Sequence, residues 1–166
     1  ITWSFLVVVG ILVIRRDPTW LQILLRGGAE RARLVAAAVC ISINWLVYVW
    51  AVGQERVVEA ALGYYINPLL TVALEVVVLR EHLSRAQAAA LVLAAVAVAV
   101  LTVSYGQVPW ISLVLACSFA GYSYLKKAVS STAVTSLAVE TAILLPFAVA
   151  GLVVLEVRGD AAFLHG

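Results

Sequence analysis

The chain has 166 residues, 64% of them hydrophobic and 12% charged, with a formal net charge of +2 at pH 7; an ordinary soluble domain has about 45–50% and 25%. That balance excludes a soluble fold of this size and points to a bilayer, where lipid solvates apolar side chains and helices satisfy their own backbone hydrogen bonds. The slight positive charge follows loop position and is not clustered on one surface, so no nucleic-acid partner is implied.

A helix needs about 20 apolar residues to cross the hydrocarbon core. On that measure spans are expected at 1–14, 34–53, 60–79, 86–104, 109–125 and 133–155, each bounded by charge or by Gly and Pro. The apolar run at the start has no charged region or cleavage site before it, and reads as a cut end of a span, not a signal peptide. The connections are short apart from 15–33, where the amphipathic stretch 20–25 is expected to lie at the membrane surface. No separate soluble domain is evident.

The second span carries Asn44 and Tyr48 four residues apart, hence on one helical face, with Trp45 and Trp50 nearby. Polar-tipped aromatic residues can line a cavity for a planar or amphipathic substrate, although Trp50, near the span boundary, suits an interface anchor better. In the third span Tyr64, Asn67, Pro68, Thr71 and Glu75 fall within about a 100° arc. That stripe should face protein or water. Asn67 offers two donors and an acceptor to a ligand, and Pro68 frees the Tyr64 carbonyl from its helical bond; the alternatives are a broken helix beside a binding site or a bent rod whose Asn67 bonds a neighbouring helix.

The fourth span, rich in Ala and Val, reads as scaffold. In the fifth, Ser118 and Tyr122 form a pair like that of the second span, while Cys117 and Gly121 have the small-xxx-small spacing that lets helices approach closely. Cys40 and Cys117 lie inside apolar segments and read as packing residues, with no disulfide or metal role.

Glu75 and Glu140 are the costly features, since a charge at mid-bilayer is penalised by about 2.5–3.5 kcal/mol even on the gentler insertion scale. Glu75 lies near the end of its span, within reach of pairing with Arg80 or Arg85, and Glu140 enters the sixth span near Lys126 and Lys127. Each is either an ion-pair anchor or part of a water-filled pathway coupled to protons or substrate. Catalysis is disfavoured. His82 and His165 fall in loops on opposite sides, and there is no Cys/His metal spacing or glycine-rich phosphate loop.

Orientation follows from Lys and Arg, because short basic loops resist export. Nine basic residues (Arg15, Arg16, Arg26, Arg31, Arg33, Arg80, Arg85, Lys126 and Lys127) fall on one side, and only Arg56 and Arg158 on the other. The basic side is expected to be cytoplasmic.

The strings Asn44-Trp45-Leu46-Val47-Tyr48-Val49-Trp50-Ala51-Val52 and Glu59-Ala60-Ala61-Leu62-Gly63-Tyr64-Tyr65-Ile66-Asn67-Pro68-Leu69 resemble the RarD group of EamA-type transporters, in the drug/metabolite transporter superfamily. Arg80-Glu81-His82-Leu83-Ser84 with Gln87, residues 113–127 and Glu140-Thr141 extend the likeness over essentially the whole chain. The resemblance implies an all-α, polytopic transmembrane helix bundle of ten spans in two inverted five-span repeats. Six spans would be present: residues 1–104 as spans two to five of the first repeat, and 109–166 as the first two spans of the second.

The implied function is a secondary transporter moving a small metabolite or drug-like molecule across the bacterial inner membrane by alternating access. Asn44, Trp45, Tyr48, Tyr64, Asn67 and Thr71 are the candidate substrate-binding residues. Glu140, which matches the group, and Glu75, which departs from its small residue, are the candidate coupling groups. No cofactor or metal is expected. The partners are the lipid bilayer, a small-molecule substrate, further spans of the same protein and, as an option, a second copy. The alternatives are a passive pore, which needs a continuous polar lining where this sequence has discrete polar spots, and a structural membrane subunit without transport.

Overall fold

The computed structural model describes residues 2–79, 84–106 and 108–158. These form α1 (Thr2–Ile14), α2 (Thr19–Arg26), α3 (Ala29–Gly53), α4 (Val57–Leu79), α5 (Arg85–Tyr105), α6 (Trp110–Lys127) and α7 (Ala133–Arg158), with no strand among the described residues. The expected spans each contain a helix, and the stretch expected at the surface is α2. The helix α3 starts five residues before its expected span, because Ala29, Arg31, Ala32 and Arg33 are good helix formers and Glu30 sits in the first turn, where a negative charge meets the positive end of the helix dipole.

Local chemistry sets several of the breaks. Helix α2 ends at Gly27 (φ +72°) and Gly28 (φ +95°), a left-handed pair that turns the chain into α3. Helix α5 opens on a capping box: Ser84 Oγ accepts from the Gln87 amide, and Gln87 Oε1 accepts from the Ser84 amide at 2.9 Å. The Ser84 and Gln87 of the motif are thus a helix start. Helix α4 runs uninterrupted through Pro68, and α7 through Pro146, so the broken-helix alternative at Pro68 is not adopted.

Three helices, Ala29–Gly53, Val57–Leu74 and Ala133–Val154, are long and apolar enough to cross a membrane, and Trp3–Ile14 and Arg85–Val100 are shorter apolar helices. The burial pattern is that of a bundle in lipid. Leu46, Val58, Tyr65, Leu93, Val103 and Phe147 point outward, while Asn44, Asn67, Ser112, Thr135, Ser136, Glu140 and Thr141 are buried. Water would select the reverse distribution; in lipid the outward apolar side chains are solvated and the polar ones find partners inside. The chain is an all-α membrane helix bundle.

Packing divides it into two compact units, one gathering the described residues of Ile1–Ala38 and Val129–Gly166, the other Val39–Ala128. These groupings run across the boundary expected between residues 104 and 109. In the first unit α1 and α2 pack on α7, around Val8, Leu12 and Ala138 with Trp20 and Val134. Polar clasps close one end: Glu30 Oε1 accepts from the Ser131 amide at 3.0 Å, and Thr135 donates to Asp17 at 3.4 Å. In the second unit α4 packs on α6 and α5, with Ala51, Ala60, Ile111 and Leu115 at the core.

Candidate functional site

The second unit holds the six residues expected to bind substrate. They arise on two helices because each helix repeats every 3.6 residues, so Asn44 and Tyr48 share a face of α3 while Tyr64, Asn67 and Thr71 share a face of α4. The structure joins the two faces through aromatic edges. Tyr48 and Tyr64 meet edge to face at 5.7 Å between ring centroids, and Trp45 meets Tyr48 the same way at 6.2 Å. Such pairs add about 0.5–1.5 kcal/mol beyond area burial. Trp45 is 61% exposed and Tyr64 44%, so the ladder presents one wall outward.

Asn44 and Asn67 have different surroundings. Asn44 is buried and donates both amide hydrogens across to α6, to the Leu115 carbonyl at 2.8 Å and to Ser118 Oγ at 3.0 Å. Ser118 in turn donates to the Leu115 carbonyl at 3.1 Å. Asn44 is therefore first a tie between α3 and α6. Asn67, equally buried, receives only a long bond from Thr71 Oγ1 at 3.4 Å, while that hydroxyl's nearer acceptor is the Asn67 backbone carbonyl at 3.0 Å. Its amide nitrogen donates to no described residue. Among the described residues the buried side-chain polar atom left without a partner is Ser131 Oγ, not this nitrogen, which stays open to a group from outside them.

Two apolar clefts flank α4. One, of about 320 Å³, lies among α4, α5 and α6 and includes Ile66, Leu69, Leu91 and Leu113; the other, of about 330 Å³, lies between α4 and α6 beside Leu74 and Cys117. At about 100° per residue Ile66 and Leu69 sit on the side of α4 away from Tyr64 and Thr71. The first cleft and the polar stripe are therefore separate, while Leu70 and Leu74 of the second cleft lie beside Asn67 on the helix.

Outside this wall, Trp50 packs against Trp110 at 5.5 Å and Arg56 sits 5.8 Å over the Trp110 ring while pairing with Glu59 at 2.6 Å. An indole pair beside a paired arginine at the α3–α4 turn suits the aromatic belt of a membrane interface. Of the carboxylates, Glu140 is buried in α7, 3% exposed. Glu75 belongs to α4, but its side chain lies outside the described residues, as do residues 80–83 with Arg80 and His82.

Sequence reasoning missed two contributors. Gly63 and Ser112 form the tight contact between α4 and α6, and Ser112 Oγ donates to the Glu59 carbonyl at 2.6 Å. The small-xxx-small signal pointed instead to Cys117 and Gly121, where Gly121 faces Cys40 Sγ at an ordinary 3.6 Å. A glycine inside a helical apolar run was the available sign for Gly63.

Comparison with known proteins bears on what such a wall is for. Residues 1–103 match the EamA-like transporter family. The chain is 46% identical over 165 residues to Protein RarD of Streptomyces exfoliatus, covering 99% of this chain and 52% of that protein. It is 38% identical over 151 residues to an uncharacterized transporter of Bacillus subtilis, covering 89% and 51%, and 38% identical over 148 residues to Protein RarD of Escherichia coli, covering 89% and 50%. The chain thus spans about half the length of the curated relatives it matches. No solved structure matches it with comparable significance. With the family match extending over helices α1 to α5, including the Asn44–Tyr48 and Tyr64–Thr71 faces, the chain belongs to the EamA-like transporter family.

Proposed function

We propose that this chain forms part of a secondary transporter that moves a small metabolite or drug-like molecule across the bacterial inner membrane by alternating access. The observation that carries the reading is Asn67: a residue buried overall whose amide nitrogen donates to no described residue and is not sealed off, next to a Tyr48–Tyr64 aromatic wall, in a chain of a transporter family. Tyr48, Tyr64, Asn67 and Thr71, with Trp45 at the rim, would hold substrate through ring contacts and neutral hydrogen bonds. Asn44 would contribute only its remaining carbonyl oxygen while holding α3 to α6. A wall of this kind discriminates by shape and hydrogen bonding and leaves net charge largely unread.

The bacterial relatives support the inner-membrane setting. The family match ending at residue 103 supports taking 1–104 as belonging to one repeat and 109–166 as opening the next, with the other spans of the pathway supplied elsewhere in the protein. Glu140 is the proposed coupling group, because a buried carboxylate can exchange a proton as a site changes exposure, and Glu75 is the second candidate.

Uptake by the whole transporter in vesicles, with and without a pH gradient, tests the proposal. Gradient-driven uptake of a small molecule that collapses in Glu140→Gln, with substrate binding and insertion retained, is the expected result. Equal flux in both directions irrespective of any gradient would indicate a passive pore, and no flux of any tested solute a structural subunit.

A further inference from the structure

Helix α2 is short, about 12 Å at 1.5 Å per residue, too short to cross a membrane. It is also divided into three strips. Trp20, Ile23 and Leu24 are half-buried, with Trp20 packed on the α1–α7 core. Thr19, Gln22 and Arg26 form an exposed polar strip. Between them, on the remaining side, Leu21 is 44% exposed and Leu25 75%. At about 100° per residue the two leucines lie about 40° apart and form one apolar edge that nothing in this unit covers.

The charge around this edge is mainly positive. Arg15, Arg16 and Arg26 flank α2, all are exposed, and none has an ion pair among the described residues. Two acids lie nearby and keep their negative charge, but neither pairs with these three arginines: Asp17 accepts from the Thr19 amide at 3.0 Å and from the hydroxyls of Thr19 and Thr135, and Glu30 accepts from the Ser131 amide. Arg31 folds back on the turn and donates to the Leu24 carbonyl at 3.1 Å, which ties the end of α2 to the start of α3. An apolar edge flanked by three exposed arginines that form no ion pair among the described residues is what an amphipathic helix presents to an anionic leaflet.

We propose that α2 with Arg15, Arg16 and Arg26 is a docking surface for anionic phospholipid: Leu21 and Leu25 enter the boundary between headgroups and acyl chains, and the three guanidinium groups bind lipid phosphates. Arginine suits the task because its planar fork meets phosphate oxygens two at a time. The surface holds the α1–α3 connection at a fixed depth and makes this end of the bundle sensitive to the anionic fraction of its leaflet.

The test uses the chain reconstituted in bilayers of phosphatidylcholine with a rising fraction of phosphatidylglycerol. A nitroxide at Leu25→Cys, with Cys40 and Cys117 replaced by Ser, reports immersion depth. Quenching by brominated phosphatidylglycerol against brominated phosphatidylcholine, read from Trp20 with the other tryptophans replaced by Phe, reports lipid preference.

The expected results are a nitroxide shielded from water-soluble relaxants and a preference for phosphatidylglycerol on the order of tenfold. R15Q/R16Q/R26Q should bring that preference close to unity, and the triple Lys variant should retain most of it. Equal quenching by the two lipids, a water-exposed nitroxide at Leu25, or an undiminished preference in the folded triple Gln variant overturns the proposal. If the Gln variant does not insert, the comparison of the two lipids around the unaltered arginines decides alone.

Discussion

Gly63 of α4 and Ser112 of α6 meet backbone to backbone: a Cβ at Gly63 would stand 3.0 Å from the Ser112 carbonyl oxygen, 3.2 Å from its Cα and 2.9 Å from the Leu115 Cβ. These are main-chain and first side-chain atoms, which cannot swing aside. Without a hydrophobic drive between helices in lipid, such close packing is a main source of helix association. Gly63→Ala is therefore expected to destabilise the bundle. The lost fit costs about 1–3 kcal/mol, against a gain of at most about 1 kcal/mol in helix propensity. Gly121→Ala, facing only Cys40 Sγ at 3.6 Å, should be neutral or slightly stabilising. Unfolding free energies in mixed micelles check both, and a Gly63→Ala chain as stable as the parent contradicts the contact.

The two asparagines should separate stability from binding. Asn44→Ala removes two hydrogen bonds to α6, each about 0.6 kcal/mol on average and at most about 1.7 in membrane proteins, so a loss of about 1–2 kcal/mol is expected. Asn67→Ala removes only the long bond from Thr71 and should change stability by less than about 0.5 kcal/mol. In the whole transporter, Asn67→Ala should instead weaken substrate binding by about tenfold, the scale of one lost neutral hydrogen bond. Equilibrium binding beside unfolding measurements tells these apart; normal binding in Asn67→Ala removes it from the site.

Asp17 gives this end of the first unit a pH dependence. Hydrogen bonds from the Thr19 hydroxyl and amide, with a smaller one from Thr135, hold its carboxyl below the usual 3.8. A depressed folded value means the stabilisation is fully present above the unfolded value and is lost as pH falls through the folded one. Amide exchange at the start of α2 should therefore speed up as pH drops from about 5 to about 2, after correction for intrinsic rates. Asp17→Asn should exchange quickly throughout and show no such transition. A transition of equal size in that variant assigns it to another group.

Orientation has a direct check. With nine basic residues on one side and two on the other, residue Gly106, at the left-handed turn after α5 (φ +64°), is expected to face outward. Gly106→Cys, with Cys40 and Cys117 replaced by Ser, should be blocked by an impermeant thiol reagent added to intact cells. Blocking only after the cytoplasm is opened would reverse the topology.

Which segments are helical, and that lipid surrounds them, was legible without coordinates. Backbone hydrogen bonds in a span close within the segment, so length, apolar content and flanking Gly, Pro and charge suffice to find it. The amphipathic α2 segment, the Tyr64–Thr71 stripe and the Asn44–Tyr48 face followed from 3.6-residue periodicity alone, and the resemblance to EamA-type transporters from the residues along those faces.

Tertiary structure alone decided what each polar group meets. Asn44 finds Leu115, 71 residues away in sequence, and no local pattern distinguishes that tie from the unpartnered nitrogen of Asn67. Likewise nothing in the apolar run around Gly63 marks it as the tightest glycine, because the clash belongs to a backbone in α6. Pairings between helices depend on relative rotation and depth, which in lipid are set by small differences in packing, whereas the helices themselves are compelled by the solvent.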